Sequence, residues 1–465
     1  MTESVGELRA RLGPRLLTGE AVQAYRHDAA PLAAAGVPLA VVRAREEGDV
    51  QQALRWAHRH HVAVVPRGGG TGLAGGATAV DGCLVVSLAG MDRVVEMRAD
   101  DQYCVVQAGV ITADLDRAAA RHGLMYAPDP SSHETSTIGG NLATNAGGLR
   151  CVKYGVTRDW TLGLRAVLAD GRVLATGRRT VKGVAGYDLT GLLVGSEGTL
   201  GVIVEATLRL RPRPSGAPVT VVAQFPLLEA AATAALEITR AGLDPGLMEL
   251  LDAATLAALS DHTRMDFEDA AALLLVQFDG AGREDAADAA LAVLTRGGAG
   301  TALRSETASE AAELVGLRRL AYPALARRGV PFTEDVCVPR SRLAEMVRHI
   351  QAVAAAHACE IATVAHAGDG NLHPLFVLPH GTTGIPANVS RAADEIFARA
   401  LELGGTLTGE HGVGLLKRRW LEREMSAECA EVTRAVKRAL DPHGILNPGK
   451  AVPFPAEGNG DDLPG

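Results

Sequence analysis

Apolar and polar positions follow two different patterns along this chain. From about residue 38 to 213 the apolar runs are short and punctuated by Gly, Asp and Asn. Ala63-Val64-Val65, Cys83-Leu84-Val85-Val86, Tyr103-Cys104-Val105-Val106, Leu164-Arg165-Ala166-Val167-Leu168 and Leu200-Gly201-Val202-Ile203-Val204 are the clearest. Short apolar runs bounded by turn formers predict strands. Asp170-Gly171, between Val167-Leu168 and Val173-Leu174, predicts a hairpin turn. The proline-rich stretch Arg211 to Pro218 breaks this texture. Beyond it, Leu228 to Ile238 and Leu343 to Ala358 have helical spacing, and Leu273 to Phe278 reads as a buried strand. The fold class expected is therefore α+β. Its parts are a helical lead-in (1–37), a strand-rich domain (38–214), an α+β domain (215–404), a C-terminal segment (405–452) and an acidic Gly/Pro-rich tail (453–465) expected to be disordered. No internal repeat is present.

Composition narrows the function. A chain of 465 residues is too long for one ordinary core. A net charge of −8 and 3% aromatics disfavour a nucleic-acid partner. The one basic cluster, Lys417-Arg418-Arg419, is expected to be a solvated helix face. Cys83, Cys104, Cys151, Cys337, Cys359 and Cys429 form no Cys-x-x-Cys pair, which fits reduced thiols in a cytoplasm. Met1-Thr2-Glu3-Ser4 does not follow a secretory plan, and no apolar run approaches the ~20 residues that span a bilayer. A cytoplasmic protein, at most peripheral to the membrane, is the expectation.

Two glycine-rich segments carry the first candidate chemistry. Pro66-Arg67-Gly68-Gly69-Gly70-Thr71-Gly72 follows an apolar strand. Glycines let backbone N–H groups close round a phosphate. The match Gly70-Thr71-Gly72-Leu73-Ala74-Gly75 to the dinucleotide fingerprint is formal only. That fingerprint must open a helix, and Ala77 to Gly82 leads to another strand. A plain tight turn would explain one such loop. The second segment weakens that explanation: Pro128-Asp129-Pro130-Ser131-Ser132 leads to Thr137-Ile138-Gly139-Gly140-Asn141-Leu142-Ala143-Thr144-Asn145-Ala146-Gly147-Gly148. Such a surface suits a long, flat, partly anionic ligand. Gly195-Ser196-Glu197-Gly198 adds a carboxylate that could accept from a ribose hydroxyl or cap a turn.

The second candidate site is rich in imidazole. His366-Ala-Gly-Asp-Gly-Asn-Leu-His373 follows the strand-like Ile361 to Val364, so a hairpin would bring the two imidazoles together. Gly409-Glu410-His411-Gly412 adds a carboxylate and a third imidazole. Two histidines and one carboxylate with open positions suit Zn²⁺, Mn²⁺ or Fe²⁺. Adjacent side chains rarely point the same way, so Glu410 and His411 need different jobs.

Together with Thr180 to Leu189, the glycine segments resemble the FAD-binding domain of the vanillyl-alcohol oxidase/p-cresol methylhydroxylase superfamily. The histidine motifs and the ending Leu440-Asp-Pro-His-Gly-Ile-Leu-Asn-Pro-Gly-Lys450 resemble its branch of D-lactate dehydrogenase, D-2-hydroxyglutarate dehydrogenase and glycolate oxidase flavin subunit. The resemblance runs from about residue 24 to 452. It implies a two-subdomain FAD-binding domain of the p-cresol methylhydroxylase type, an α+β cap domain for substrate, and a C-terminal helical segment returning to the flavin. Non-covalent FAD would lie on Pro66 to Gly72. Its other contacts would be Pro130, Ser131, Thr137, Gly140, Asn141, Thr144, Gly147, Glu197, Val202, Ile203 and Asn447. His133 is the nearest residue for a covalent flavin link and is read as a loop residue.

The resemblance also assigns roles in the second site. A divalent metal, Zn or Mn, would be held by His366, His373 and Glu410, with His411 as base. An imidazole is suited to take the hydroxyl proton of a 2-hydroxy acid while hydride passes to flavin N5. Leu314-Val315-Gly316-Leu317-Arg318 resembles the family element whose arginine grips the substrate carboxylate, with Val315 in place of Trp and Arg319 adjacent. Tyr322, one turn later, would share that pocket. Glu334 stands where some relatives carry a basic residue, which argues for a lactate- or glycolate-like monocarboxylate or a larger apolar acid over D-2-hydroxyglutarate. The D preference rests on the resemblance alone. A metal-dependent hydrolase and a non-catalytic FAD-binding subunit are the other classes open. The acceptor (quinone, cytochrome, electron-transfer flavoprotein or oxygen) is not legible, and a homodimer is possible.

Overall fold

The computed structural model describes residues 2–453 except Pro31, Arg264, Glu268 and Asp269. The tail expected to be disordered lies, beyond Pro453, outside the described residues.

Three sheets carry the fold. The first has the order β1-β2-β4-β3. It contains β1 (Leu16–Leu17), β2 (Ala40–Arg43), β3 (Val64–Arg67) and β4 (Leu84–Ser87). The last three run parallel. Parallel neighbours need a crossover, and the helix Glu47–His60 supplies it between β2 and β3. Its Val50, Ala53, Leu54, Trp56 and Ala57 are buried at helical spacing. The lead-in is not a separate piece. The helix Thr2–Leu12 puts Leu8 and Leu12 in the same core as Val42, Trp56 and Leu84, and β1 pairs with β2.

The second sheet is antiparallel, in the order β5-β6-β10-β8-β9. Its strands are β5 (Val94–Arg98), β6 (Tyr103–Gln107), β8 (Thr161–Val167), β9 (Val173–Gly177) and β10 (Val202–Arg209). β8 and β9 pair round Asp170-Gly171 with Val167 opposite Val173, the hairpin expected. A short antiparallel pair, β7 (Leu124–Met125) and β11 (Arg211–Pro212), forms a two-stranded sheet of its own. The helix Ile138–Thr144 packs Ile138 and Leu142 beneath Ile203 and Ala206. Its Gly139-Gly140 pair hid it from a propensity reading.

The third sheet has eight strands: β12 (Val219–Phe225), β13 (Leu247–Asp252), β14 (Ala272–Phe278), β15 (Thr301–Arg304), β16 (Val330–Thr333), β17 (Val336–Cys337), β18 (Ile361–His366) and β19 (Asn371–Leu378). The order is β15-β12-β14-β13-β18-β19-β16, with β17 also on β19. Helices cover both faces, so β13, β18 and β19 are buried at every residue. One face packs on the helices Leu228–Arg240, Arg283–Arg296, Leu343–Ala356 and Ala387–Glu402. The other packs on Ala253–Thr263 and Ala308–Arg328, and its free end forms the site.

The C-terminal segment then returns to the first sheet. Leu446 bridges to Val64 in parallel, Val64 N–H donates to Ile445 O at 2.7 Å, and Asn447 N–H donates to Val64 O at 2.8 Å.

Candidate active site

The two candidate sites share one cleft of about 520 Å³. Among the residues assigned to cofactor, metal or substrate, all line it except Val202, His366 and Asn447. Val202 is a core residue of the first sheet's cluster, 1% exposed, and faces away. Asn447 acts from behind: its Nδ2 donates to Glu197 O at 2.7 Å and to Gly76 O at 2.9 Å, tying the C-terminal segment to the cradle.

The cradle leaves the end of β3. Gly70 sits at φ +70°, a left-handed conformation, with the Arg67 guanidinium curled against it where a Cβ would go. Arg67 Nη1 donates to His27 O at 2.8 Å. Across the cleft, Thr137 caps its helix by accepting from Gly140 N–H at 3.3 Å. Asn141 donates inward to Thr112 Oγ1 at 2.8 Å. The Glu197 carboxylate is spent on the C-terminal segment, accepting from Val413 N–H at 2.7 Å and Gly414 N–H at 2.9 Å. One N–H on each oxygen is what a turn cap requires, and each oxygen keeps a second acceptor position on the side of the cleft that Glu197 lines. His133 lines the cleft, its Nδ1 3.1 Å from Pro130 O.

The imidazoles converge as the hairpin reading requires. β18 pairs β19 with His366 opposite Asn371 and Val364 opposite His373. Paired and alternate residues share a face, so both histidines point the same way. Their ring centroids are 5.0 Å apart, and His411 stacks on His373 at 4.8 Å. Glu410 Oε1 lies 3.3 Å from His366 Nε2, 3.3 Å from His373 Nε2 and 3.8 Å from His411 Nε2. Gly147 packs directly against the Glu410 side chain, where any Cβ would strike Oε2. The second glycine segment and the imidazole cluster therefore touch.

Three buried charges support this cluster, none of them assigned to it from the sequence. Glu249, on β13 and 0% exposed, accepts from Arg318 Nε at 2.6 Å through one oxygen. Its other oxygen lies 2.6 Å from His366 Nδ1. Asp335, also 0% exposed, accepts from Thr408 Oγ1 at 2.6 Å and from the backbone N–H of Glu410 and His411 at 3.0 Å each. It thereby sets the turn carrying both residues. Lys417, 2% exposed, donates to Asp335 O at 2.8 Å and Leu407 O at 3.1 Å. The expected solvated face is thus wrong for Lys417, though Arg419 does pair at the surface with Asp394. The only sequence hint was a lone charge inside an apolar run, as in Leu247-Met-Glu-Leu-Leu-Asp252.

These partners move the protons. Burial works against a proton on His366, but Glu249 and Glu410 outweigh it and hold that imidazole well above its ordinary range. Burial would raise Glu410, but His366 and His373 draw it well below the carboxylate range. Burial, helped by His373 and opposed by Asp335, pushes His411 down to about 4, so its ring is neutral.

The donor set fits a divalent cation. The Glu249 carboxylate on Nδ1 leaves His366 Nε2 to face Glu410, the outer-shell arrangement of metal-bound histidine. A spacing of 3.3 Å is that of adjacent ligands each about 2.1 Å from a common ion. The ligand atoms of His366, His373 and Glu410 all lie within 4.8 Å of one another.

Two expectations about substrate groups change. Arg318 does line the cleft, but its Nε is already paired with Glu249, which leaves only its Nη groups for a substrate carboxylate. Glu334 does not face the cleft. It is buried beside Lys417 at 3.8 Å, where burial pushes its carboxyl up to about 7. Thr333, one residue earlier, lines the cleft instead. The charge of Glu334 therefore says nothing about a dicarboxylate.

Comparison with known proteins gives a consistent picture. Residues 38–177 match the family described as FAD binding domain, and 216–451 match FAD linked oxidases, C-terminal domain. The chain is 42% identical over 430 residues to the glycolate oxidase subunit GlcD of Bacillus subtilis, covering 92% of this chain and 91% of that one. It is 38% identical over 436 residues to D-lactate dehydrogenase of Archaeoglobus fulgidus, covering 92% and 95%. It is 37% identical over 426 residues to D-2-hydroxyglutarate dehydrogenase of Xanthomonas citri, covering 89% of each. Among solved structures, 4-ethylphenol oxidase from Gulosibacter chungangensis superposes with a TM-score of 0.78 at 18% identity, covering 98% of this chain and 97% of that one. That likeness shows the fold.

Proposed function

The chain belongs to the FAD-linked oxidase family, and from that premise we propose that it oxidises the hydroxyl of a D-2-hydroxy monocarboxylate to the 2-oxo acid, with His411 as base and a divalent cation at His366, His373 and Glu410. The oxidation of a 2-hydroxy acid with FAD follows from the family; enantiomer, metal and residue roles are the proposal. The hydrolase alternative falls with the FAD-binding match over residues 38–177.

When bound, FAD supplies the hydride acceptor and the cation a Lewis acid. The remaining steps belong to the chain's own residues. Pro66 to Gly72 and Thr137 to Gly147 present backbone N–H groups and small side chains to the cofactor. Arg318, braced through Nε by Glu249, offers its two Nη groups to the substrate carboxylate. Tyr322 lines the same wall. His411, neutral and stacked on His373, receives the hydroxyl proton at Nε2, the nitrogen on the Glu410 side. Zn²⁺ or Mn²⁺ suits the two-imidazole, one-carboxylate set.

One observation carries this reading: both glycine segments and the His/Glu cluster line a single cleft, and the second segment meets the cluster at Gly147 and Glu410. Six free thiols support a reducing, cytoplasmic setting. No helix among the described residues is long and apolar enough to cross a membrane. The test is anaerobic bleaching of the FAD-loaded protein by a panel of D- and L-2-hydroxy acids, before and after chelation. We expect D-acids to bleach it and chelation to slow them. Bleaching by L-acids only, or full rates after chelation, would reject the assignment.

A further inference from the structure

The floor of the cleft beyond the imidazoles is the exposed end of a hydrophobic core. Val364, Leu375, Ala321 and Leu149 all line the cleft, and all belong to the cluster that packs the third sheet on the helix Ala308–Arg328. Register places them. Val364 pairs with His373, and Leu375 is the next residue of β19 on the same face, about 7 Å farther along. Thr333 of β16 pairs with Leu375 and so shares that face. A substrate whose hydroxyl and carboxylate sit at His411 and Arg318 therefore has apolar wall ahead of it, ending at Thr333.

Two features say what that wall takes. The Thr333 hydroxyl oxygen is buried and has no hydrogen-bond partner among the described residues. Buried polar atoms without partners are uncommon and point to an absent water or ligand. Beyond His373 the wall holds no ionisable side chain: besides that histidine, β16, β18 and β19 contribute only Thr333, Val364 and Leu375 to the cleft. The cleft's arginines lie on other elements, Arg67 on the cradle and Arg318 and Arg319 on the helix; Arg318 is paired with Glu249, and Arg319 is exposed on the side of Asp129. A second carboxylate directed along this wall would be buried without a cation, at high cost.

We propose that the substrate is a 2-hydroxy acid with an uncharged, mainly aliphatic side chain several carbons long, and that Thr333 is the residue setting selectivity at its far end. This rests on the 2-hydroxy acid reading above and narrows it. The side chain covers Val364 and Leu375 as the missing last layer of that core, and Thr333 satisfies its hydroxyl through a water or a neutral group of the substrate.

The experiment is stopped-flow flavin reduction in the FAD- and Mn²⁺-loaded protein by glycolate, lactate, 2-hydroxybutyrate, 2-hydroxyhexanoate and 2-hydroxyglutarate, each as resolved enantiomers where chiral. Each buried methylene is worth about fourfold, so hexanoate should exceed lactate in reduction efficiency by at least about tenfold, and glutarate should trail hexanoate. Thr333→Lys should shift the preference from 2-hydroxyhexanoate toward 2-hydroxyglutarate, with FAD content and melting temperature as checks on folding, and a Lys variant that keeps the wild-type preference would remove Thr333 as the selectivity residue. A flat or falling chain-length series, or glutarate as the best wild-type substrate, overturns this inference while leaving the reaction intact. Bleaching by no 2-hydroxy acid overturns both.

Discussion

Glu249 is the most informative residue to change, because one buried carboxylate supports two groups with different jobs. Its oxygens lie 2.6 Å from Arg318 Nε and 2.6 Å from His366 Nδ1, and the residue is 0% exposed. Glu249→Leu removes the carboxylate that partners both and strands Arg318 and His366. Breaking a buried pair by deleting one partner costs about 3–5 kcal/mol, so this variant should melt far below wild type. Glu249→Gln is the sharper probe, since the amide fills the same volume but cannot be an ionised acceptor to both neighbours. Loss of an outer-shell partner of a metal-binding histidine typically costs 10–100-fold in metal affinity or activity. Freeing Arg318 adds a rise in KM for the acid. The assay is steady-state oxidation with a dye acceptor across a Mn²⁺ titration, with flavin content measured in parallel. Expected are full FAD occupancy, half-maximal activity at no less than about tenfold more Mn²⁺ and a raised KM. Wild-type metal dependence and KM in Glu249→Gln would show that the carboxylate is only structural and refute the argument.

Four further outcomes follow from the geometry. His411→Ala should retain FAD and lose about 10²–10⁴ in turnover; turnover within tenfold of wild type would remove it as the base. Gly147→Val should displace Glu410 and cost about 10²-fold in activity, more than it costs in flavin binding measured by fluorescence. Lys417→Met leaves Asp335 uncompensated and should lower stability by about 3–5 kcal/mol in denaturant unfolding, where a solvated lysine would change it by less than about 0.5 kcal/mol. Burial lowers Lys450 from 10.5 to about 8 as it donates to Gly76 O and Asn447 Oδ1. Between those values the unfolded chain binds the extra proton, so this group's burial penalty is full below about pH 8 and relieved as pH rises toward 10.5. Wild-type stability should therefore gain on Lys450→Met across that window, and parallel pH curves would contradict it.

The chemistry of this protein is written in short stretches that the sequence exposes. The glycine cradle, the second glycine segment and the His366–His373 hairpin each lie within a few residues, where backbone geometry alone brings the groups together. Through the family they resemble, they pointed to FAD and to oxidation of a 2-hydroxy acid, and most of the residues named from them line the cleft. Long-range pairing decided the rest. Glu249 and His366 are 117 positions apart and meet only because β13 pairs with β18. Lys417 looked like one more surface base until the chain folded it beneath Asp335. Thr333 and Glu334 are neighbours, yet one faces the cleft and the other Lys417. Side chains on a strand alternate, and only the pairing of Thr333 with Leu375 selects which of the two faces the cleft.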